Sequence, residues 1–209
     1  MATDDALINR IAERLLSQPE EAGAESELRP DWVPDVPLDR PPVRAAVLIA
    51  LVRRAAGLSV LYTERSSELR SHSGQISFPG GRIDPGDADA ADAALREAAE
   101  EVAMDRGEAR VLGYMPRYFT GTNYLITPVV ALVEPTRPFI PNPGEVRSVF
   151  EVPLERLMRD ESYGTFRIRR GEREHTTWQI QHGELMIWGI TANLTRRFHD
   201  LALAGEAIW

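Results

Sequence analysis

The feature that most limits the possible folds is the apolar run over residues 43–52, separated by a short turn at 54–57 from a second β-forming run at 58–63. Two runs of this kind on either side of a Gly-containing turn predict a hairpin. The first run is too short to span a membrane, because its apolar part, 45–52, is bounded by Arg44 and Arg53. Strand-like runs recur at 75–78, 109–114, 125–133, 146–152, 163–169, 174–181 and 185–188. Helical stripes are fewer. Residues 6–16 carry Leu7, Ile11, Leu15 and Leu16 on one side, and 190–203 closes the chain as an amphipathic helix. Pro153 opens a short helix at 154–158.

Strands in this order, with helices interposed and no strict βαβ repetition, predict an α/β fold with a mixed sheet sandwiched between helices. With 209 residues, 43% of them hydrophobic, the chain can bury one core. The segment 19–42 is rich in Pro, Glu and Asp and lacks periodicity. Residues 1–42 therefore read as an N-terminal helix and extended arm, and 43–209 as the domain proper. The arm and the terminal Trp209 are candidate elements of a homodimer.

No basic-then-apolar leader opens the chain, which predicts a cytoplasmic protein with no membrane partner. Cysteine is absent, so disulfides, thiolate zinc sites and a cysteine nucleophile are excluded. The formal net charge of -8 argues against general nucleic-acid binding. Scattered arginines in the central part, beside acids concentrated from Asp84 to Glu101, suit a small anionic ligand bridged by cations.

Residues 80–104, "GGRIDPGDADAADAALREAAEEVAM", concentrate the chemistry. After the turn at Asp84-Pro85-Gly86, Asp89 caps a helix whose apolar stripe is Ala91, Leu95, Ala98 and Val102. At about 100° per residue, Glu97 and Glu101 lie one turn apart with Glu100 displaced from them, and all three are expected to point away from the stripe. Like charges at this spacing cost a few tenths of a kcal/mol per pair, a sign that a bound cation reverses. Three hard oxygen ligands with open positions suit Mg²⁺ or Mn²⁺. Read alone, the helix is better explained as a solvated acidic face with Arg96 paired to Glu100, because such faces are common. The glycines Gly80 and Gly81 let backbone approach a ligand or metal closely, with a carbonyl available to the metal.

This stretch resembles the Nudix hydrolase box, Gx5Ex7REUxEExGU with U aliphatic, through Gly81, Arg96, Glu97, Glu100, Glu101 and Met104. Asp87 stands where the first glutamate is expected, the following spacer is one residue longer, and Ala103 replaces the late glycine, which requires an unstrained helix end there. The preceding segment 61–81, "LYTERSSELRSHSGQISFPGG", is similar to the signature of the coenzyme A pyrophosphatase subfamily. The match runs through Thr63, Arg65, Ser66, Leu69, Arg70, His72, Gly74, Gln75, Phe78, Pro79, Gly80 and Gly81. Asp87 and the longer spacer also fit that narrower group.

The resemblance implies a Nudix fold and metal-dependent hydrolysis of coenzyme A, or a related diphosphate, to 3′,5′-ADP and 4′-phosphopantetheine. Glu97, Glu100 and Glu101 would hold the metal with the Gly81 carbonyl, and Arg96 would orient Glu100 or Glu97. Glu145, in "PNPGEV", is the candidate loop acid for the catalytic base. Arg65 and Arg70 would pair with phosphate oxyanions, with Phe78 and Gly80 completing the substrate contacts and His72 standing equally for a structural or a substrate role. Two other readings remain open: a Nudix enzyme for another substrate such as ADP-ribose, and a non-catalytic nucleotide sensor.

Overall fold

The computed structural model describes residues 2–20, 40–66, 74–170 and 173–203. At its centre, β1 (Val43–Arg54) and β2 (Gly57–Arg65) form the expected hairpin, closed at Arg54 opposite Gly57. β3 (Ile76–Ser77) pairs with β2, and β4 (Gly80–Arg82) pairs with the first half of β1. The chain then crosses over through α2 (Ala90–Val102), following α1 (Ala2–Arg14) at the N-terminus. It returns as β5 (Ala109–Tyr114), β6 (Tyr118–Phe119) and β7 (Tyr124–Val133). β7 lies parallel to β1 along its length, from Val43 opposite Tyr124 to Val52 opposite Val133. A parallel neighbour requires such a crossover, and α2 provides it. β8 (Val146–Pro153) completes the sheet on the free edge of β2.

The alternation of β1 explains the layers. Ala46, Leu48, Ala50 and Val52 pack with Ala90, Ala91, Ala93, Ala94, Ala98 and Val102 of α2. Ala45, Ile49 and Leu51 face the opposite cluster, which takes Leu7, Ile8 and Ile11 from α1, Leu154 and Leu157 from α3 (Leu154–Leu157), and Leu194 and Phe198 from α4 (Ile190–Leu203). A strand covered on both faces needs an unbroken apolar run, which is what the sequence contains. The result is the expected α/β/α sandwich. A second antiparallel sheet of β9 (Tyr163–Arg170), β10 (Arg173–His182) and β11 (Leu185–Trp188) packs on α4.

Several expectations change in detail. The N-terminal helix ends at Arg14, and Leu16 leaves the stripe: its backbone bridges Tyr114 and its side chain is exposed. The apolar side of that helix joins the same core as β1. Leu95 is half-buried at the margin of the α2 core, which the smaller alanines fill. β4 and β6 are too short for a hydrophobic period to reveal. Most of the 19–42 arm, and Trp209, lie outside the described residues. No helix among the described residues is long and apolar enough to cross a membrane.

Candidate active site

Asp89 starts α2 as expected, its carboxylate accepting from the Asp92 amide at 2.8 Å. From there the three glutamates diverge. Glu101 shares the buried side with Ala98 and Val102 and its side chain is only 2% exposed, which overturns the expectation that all three turn away from the core. Glu97 is half-buried, and Glu100 lies in solvent. A 13-residue helix against a sheet has room for a boundary position that is neither core nor surface, and Glu101 occupies it.

Glu145 completes the inner group. Its loop is fixed at both ends: the Asn142 amide donates to the Glu101 carbonyl at 2.8 Å, the Glu145 amide to the Asn142 carbonyl at 3.0 Å, and the Ser66 amide to the Glu145 carbonyl at 2.9 Å. The loop acid is thereby tied to the last turn of α2 and to the end of β2. Carboxylate oxygens of Glu97, Glu101 and Glu145 come within 4.8 Å of one another, the group of that kind found among the described residues. Glu100, the third glutamate expected at the metal, pairs with Arg96 at 3.1 Å, and Glu145 stands beside Glu97 and Glu101.

Both glycines act through contact. A Cβ on Gly80 would sit 2.4 Å from the Ala46 carbonyl oxygen, so the strand pairing requires glycine. A Cβ on Gly81 would sit 2.3 Å from Glu97 Oε1, so the carboxylate rests where a side chain would otherwise be. The Gly80 amide also hydrogen-bonds Glu101. Arg65 Nη1 lies 3.8 Å from Glu101 Oε1, too far for a hydrogen bond.

The electrostatic consequence is an excess of negative charge in a poorly solvated place. Burial pushes the Glu101 carboxyl up to about 8, against the opposing pull of Arg65 and with further upward pressure from Glu97 and Glu145. Burial likewise raises Glu97, with Arg96 opposing. Glu101 Oε2 is buried and has no hydrogen-bond partner. An orphaned buried carboxylate oxygen beside two further carboxylates fits a divalent cation with hard oxygen ligands. The cleft above them holds about 300 Å³, with Arg65, Arg82 and Tyr124 among its walls.

Arg96 belongs to the rim. Its guanidinium grips Asp87 with two bonds, Nε to Oδ1 at 2.8 Å and Nη2 to Oδ2 at 3.0 Å, and reaches Glu97 at 3.0 Å and Glu100 at 3.1 Å. It therefore positions both glutamates. The Asp87 carboxyl is held below the usual carboxylate range by this pairing. The shorter acid at the box's first position is an anchor for Arg96, a role that its sequence position alone does not reveal.

The remaining expected residues fall as follows. Phe78 lies in the core, 3% exposed and stacked on Tyr62 at 4.9 Å between ring centroids. Arg70 and His72 lie outside the described residues. Ala103 adopts a left-handed conformation, φ 53°, in place of an unstrained helix end. Arg82 and Tyr124 were not singled out for the site; each sits at the end of a strand, and their meeting depends on pairing between distant segments.

Comparison with known proteins bears on the family and the fold. The sequence pattern of the NUDIX domain matches residues 42–172. The Nudix hydrolase NudL of Escherichia coli strain K12 is 41% identical over 160 residues, covering 77% of this chain and 81% of the relative. NudL of Citrobacter koseri matches over the same shares at the same identity. Among solved structures, the MutT protein from Methanosarcina mazei Go1 superposes with a TM-score of 0.52 at 16% identity, over 82% of this chain and all of that one. A protein from Deinococcus radiodurans gives 0.51 at 19% identity, over 87% and 97%. These two likenesses concern the fold.

Proposed function

The chain belongs to the NUDIX domain family, and from that premise we propose that it hydrolyses the diphosphate of coenzyme A or its derivatives, releasing 3′,5′-ADP and 4′-phosphopantetheine or its acylated form. The observation that carries the chemistry is the trio Glu97, Glu101 and Glu145, two half-buried carboxylates around the buried Glu101 with its unpaired oxygen. What supports coenzyme A among diphosphates is the segment 61–81, whose Arg65 stands at the mouth of that trio.

Hydrolysis adds the oxygen of water to one phosphorus and breaks its bond to the bridging oxygen, which departs with the other phosphoryl group. A Mg²⁺ or Mn²⁺ ion held by Glu97 and Glu101, with the Gly81 carbonyl beside them, supplies charge neutralisation on the diphosphate when bound. Glu145 accepts the proton of the attacking water at its carboxylate, which its loop aims into the cleft. Arg65 pairs with a diphosphate oxygen through a charge-assisted bond and offsets charge on that side. Arg96 keeps Glu97 in place through their 3.0 Å contact while Asp87 fixes the guanidinium plane.

Incubation of the purified protein with coenzyme A and Mg²⁺ or Mn²⁺, with a chelator control and products resolved by mass spectrometry, tests this reading. The expected result is metal-dependent formation of the two named products. A preference for ADP-ribose of more than about tenfold in kcat/KM would move the substrate to that class. Binding of these compounds without turnover, at any metal concentration, would replace the enzyme reading with a nucleotide sensor.

A further inference from the structure

Two arginines line the cleft, and their surroundings differ. Arg65 is drawn toward Glu101, at the reacting end. Arg82, the last residue of β4, is exposed and makes no ion pair among the described residues; its Nη2 donates to the Tyr124 hydroxyl at 3.3 Å. Arg96, on the neighbouring helix, meets Asp87 at 2.8 Å and is neutralised there. A guanidinium held at a cleft wall by a neutral phenol keeps its remaining donors and its full charge for an anion.

The placement is built by the sheet. Ala45 pairs with Arg82 across one edge of β1 and with Ile126 across the other, two residues along from Tyr124. Arg82 and Tyr124 therefore come from opposite neighbours of the same strand and meet over it, beside Gly81, whose backbone adjoins Glu97. Arg82 and Tyr124 line the same cleft as Glu97, Glu101 and Glu145, so this wall offers a cation to a further anionic group of a ligand seated at the trio.

We propose that Arg82, positioned by the Tyr124 hydroxyl, recognises a second phosphate on the nucleotide half of the substrate, the 3′-phosphate of coenzyme A, and so sets preference for 3′-phosphorylated over 3′-dephosphorylated diphosphates. The inference rests on the coenzyme A reading above. It adds a phosphate subsite distinct from the diphosphate centre, with Arg82 as the binding group and Tyr124 as a positioning residue.

The experiment compares kcat and KM for coenzyme A and for dephospho-coenzyme A in wild type, Arg82→Ala, Arg82→Lys and Tyr124→Phe, all with saturating Mg²⁺. Wild type is expected to favour coenzyme A by about tenfold or more in kcat/KM, the scale of one charge-assisted contact. In Arg82→Ala that preference collapses toward unity through a rise in KM for coenzyme A, Arg82→Lys restores part of it, and Tyr124→Phe lowers it by a smaller factor. An unchanged preference in Arg82→Ala overturns the subsite. An equal loss on both substrates also overturns it, by placing Arg82 on the diphosphate. Should wild type cleave neither compound, the coenzyme A reading itself fails, a result separate from the other two.

Discussion

On the outer side of α2 the Arg96 guanidinium meets Asp87, Glu97 and Glu100 at 2.8 to 3.1 Å, whereas on the inner side Glu101, Glu97 and Glu145 gather with Arg65 no closer than 3.8 Å. The same residue types, three and four positions apart on one helix, serve two ends. The rim is matched in charge and its bonds hold the loop before the helix to the helix itself. The interior is unmatched, and burial there raises the cost of each negative charge. An evolved protein keeps an uncompensated carboxylate in such a place when something outside the chain compensates it. Glu97 touches both groups, so the matched set positions the unmatched one.

The largest expected effect comes from removing charge on each side in turn. Glu101→Gln should lower kcat on the order of 10²–10³-fold or more, the scale for losing a group that stabilises transition-state charge. Glu100→Gln, at the rim, should cost only about tenfold, acting through Arg96 as supporting residues do. Steady-state kinetics with a Mg²⁺ titration, on variants whose circular dichroism matches wild type, check the pair. Equal losses would break the comparison and return Glu100 to the ligand set.

The adjacent glycines sharpen it further. In Gly81→Ala the new methyl meets only the end of the Glu97 side chain, which can swing aside, so turnover should fall by about 10²-fold with little change in unfolding midpoint. In Gly80→Ala the methyl meets the Ala46 carbonyl and Val47 Cα, so stability should fall by roughly 1–3 kcal/mol. Urea unfolding alongside kinetics separates the two outcomes. A Gly81→Ala protein that is fully active would show that the Glu97 carboxylate need not rest on that backbone.

The unmatched interior also predicts a pH dependence. Glu101 is raised by burial to about 8, so the folded state binds a proton that the unfolded chain has released above its ordinary carboxylate range. The stabilisation this gives is full below the unfolded value and is lost as pH rises toward 8, at up to about 1.4 kcal/mol per pH unit. Metal-free protein should therefore lose stability in urea between about pH 5 and 8. Glu101→Gln removes that slope, and saturating Mg²⁺ opposes it. A metal-free stability that is flat across this window would mean that Glu101 is ionised at ordinary cost.

How far the sequence reached follows the same division between local and distant contacts. The hairpin, β7 and α4 were legible because each is encoded by the period of its own apolar residues, and Asp89 because a cap is a local bond. The family motifs singled out Glu97, Glu101, Glu145 and Arg65. Helical spacing did not disclose that Glu101 is buried, since that depends on where the sheet ends beneath it. The pairing of Asp87 with Arg96 across a turn was likewise hidden, and so was the burial of Phe78, because a motif position carries no statement of which way its ring points. Arg82 with Tyr124 could be found only once β1 had aligned the strands on either side of it.

Ala103 provides the smallest test, at the point where α2 leaves both groups. Its φ of 53° and ψ of 34° are left-handed, and its amide closes the helix on the Ala98 carbonyl. For a residue with a Cβ this conformation costs about 1–2 kcal/mol, while glycine adopts it freely but loses more chain entropy on folding. Ala103→Gly should therefore raise stability by roughly 0.5–1 kcal/mol, read as a shift in the urea midpoint at unchanged slope. Ala103 is exposed and lies outside the carboxylate trio and the Arg96 network, so kcat should stay at the wild-type level. A change in kcat without a change in stability would mean that the helix end moves Glu101, the nearest of the trio, and that the inner group is less rigidly held than its backbone bonds to Asn142 imply.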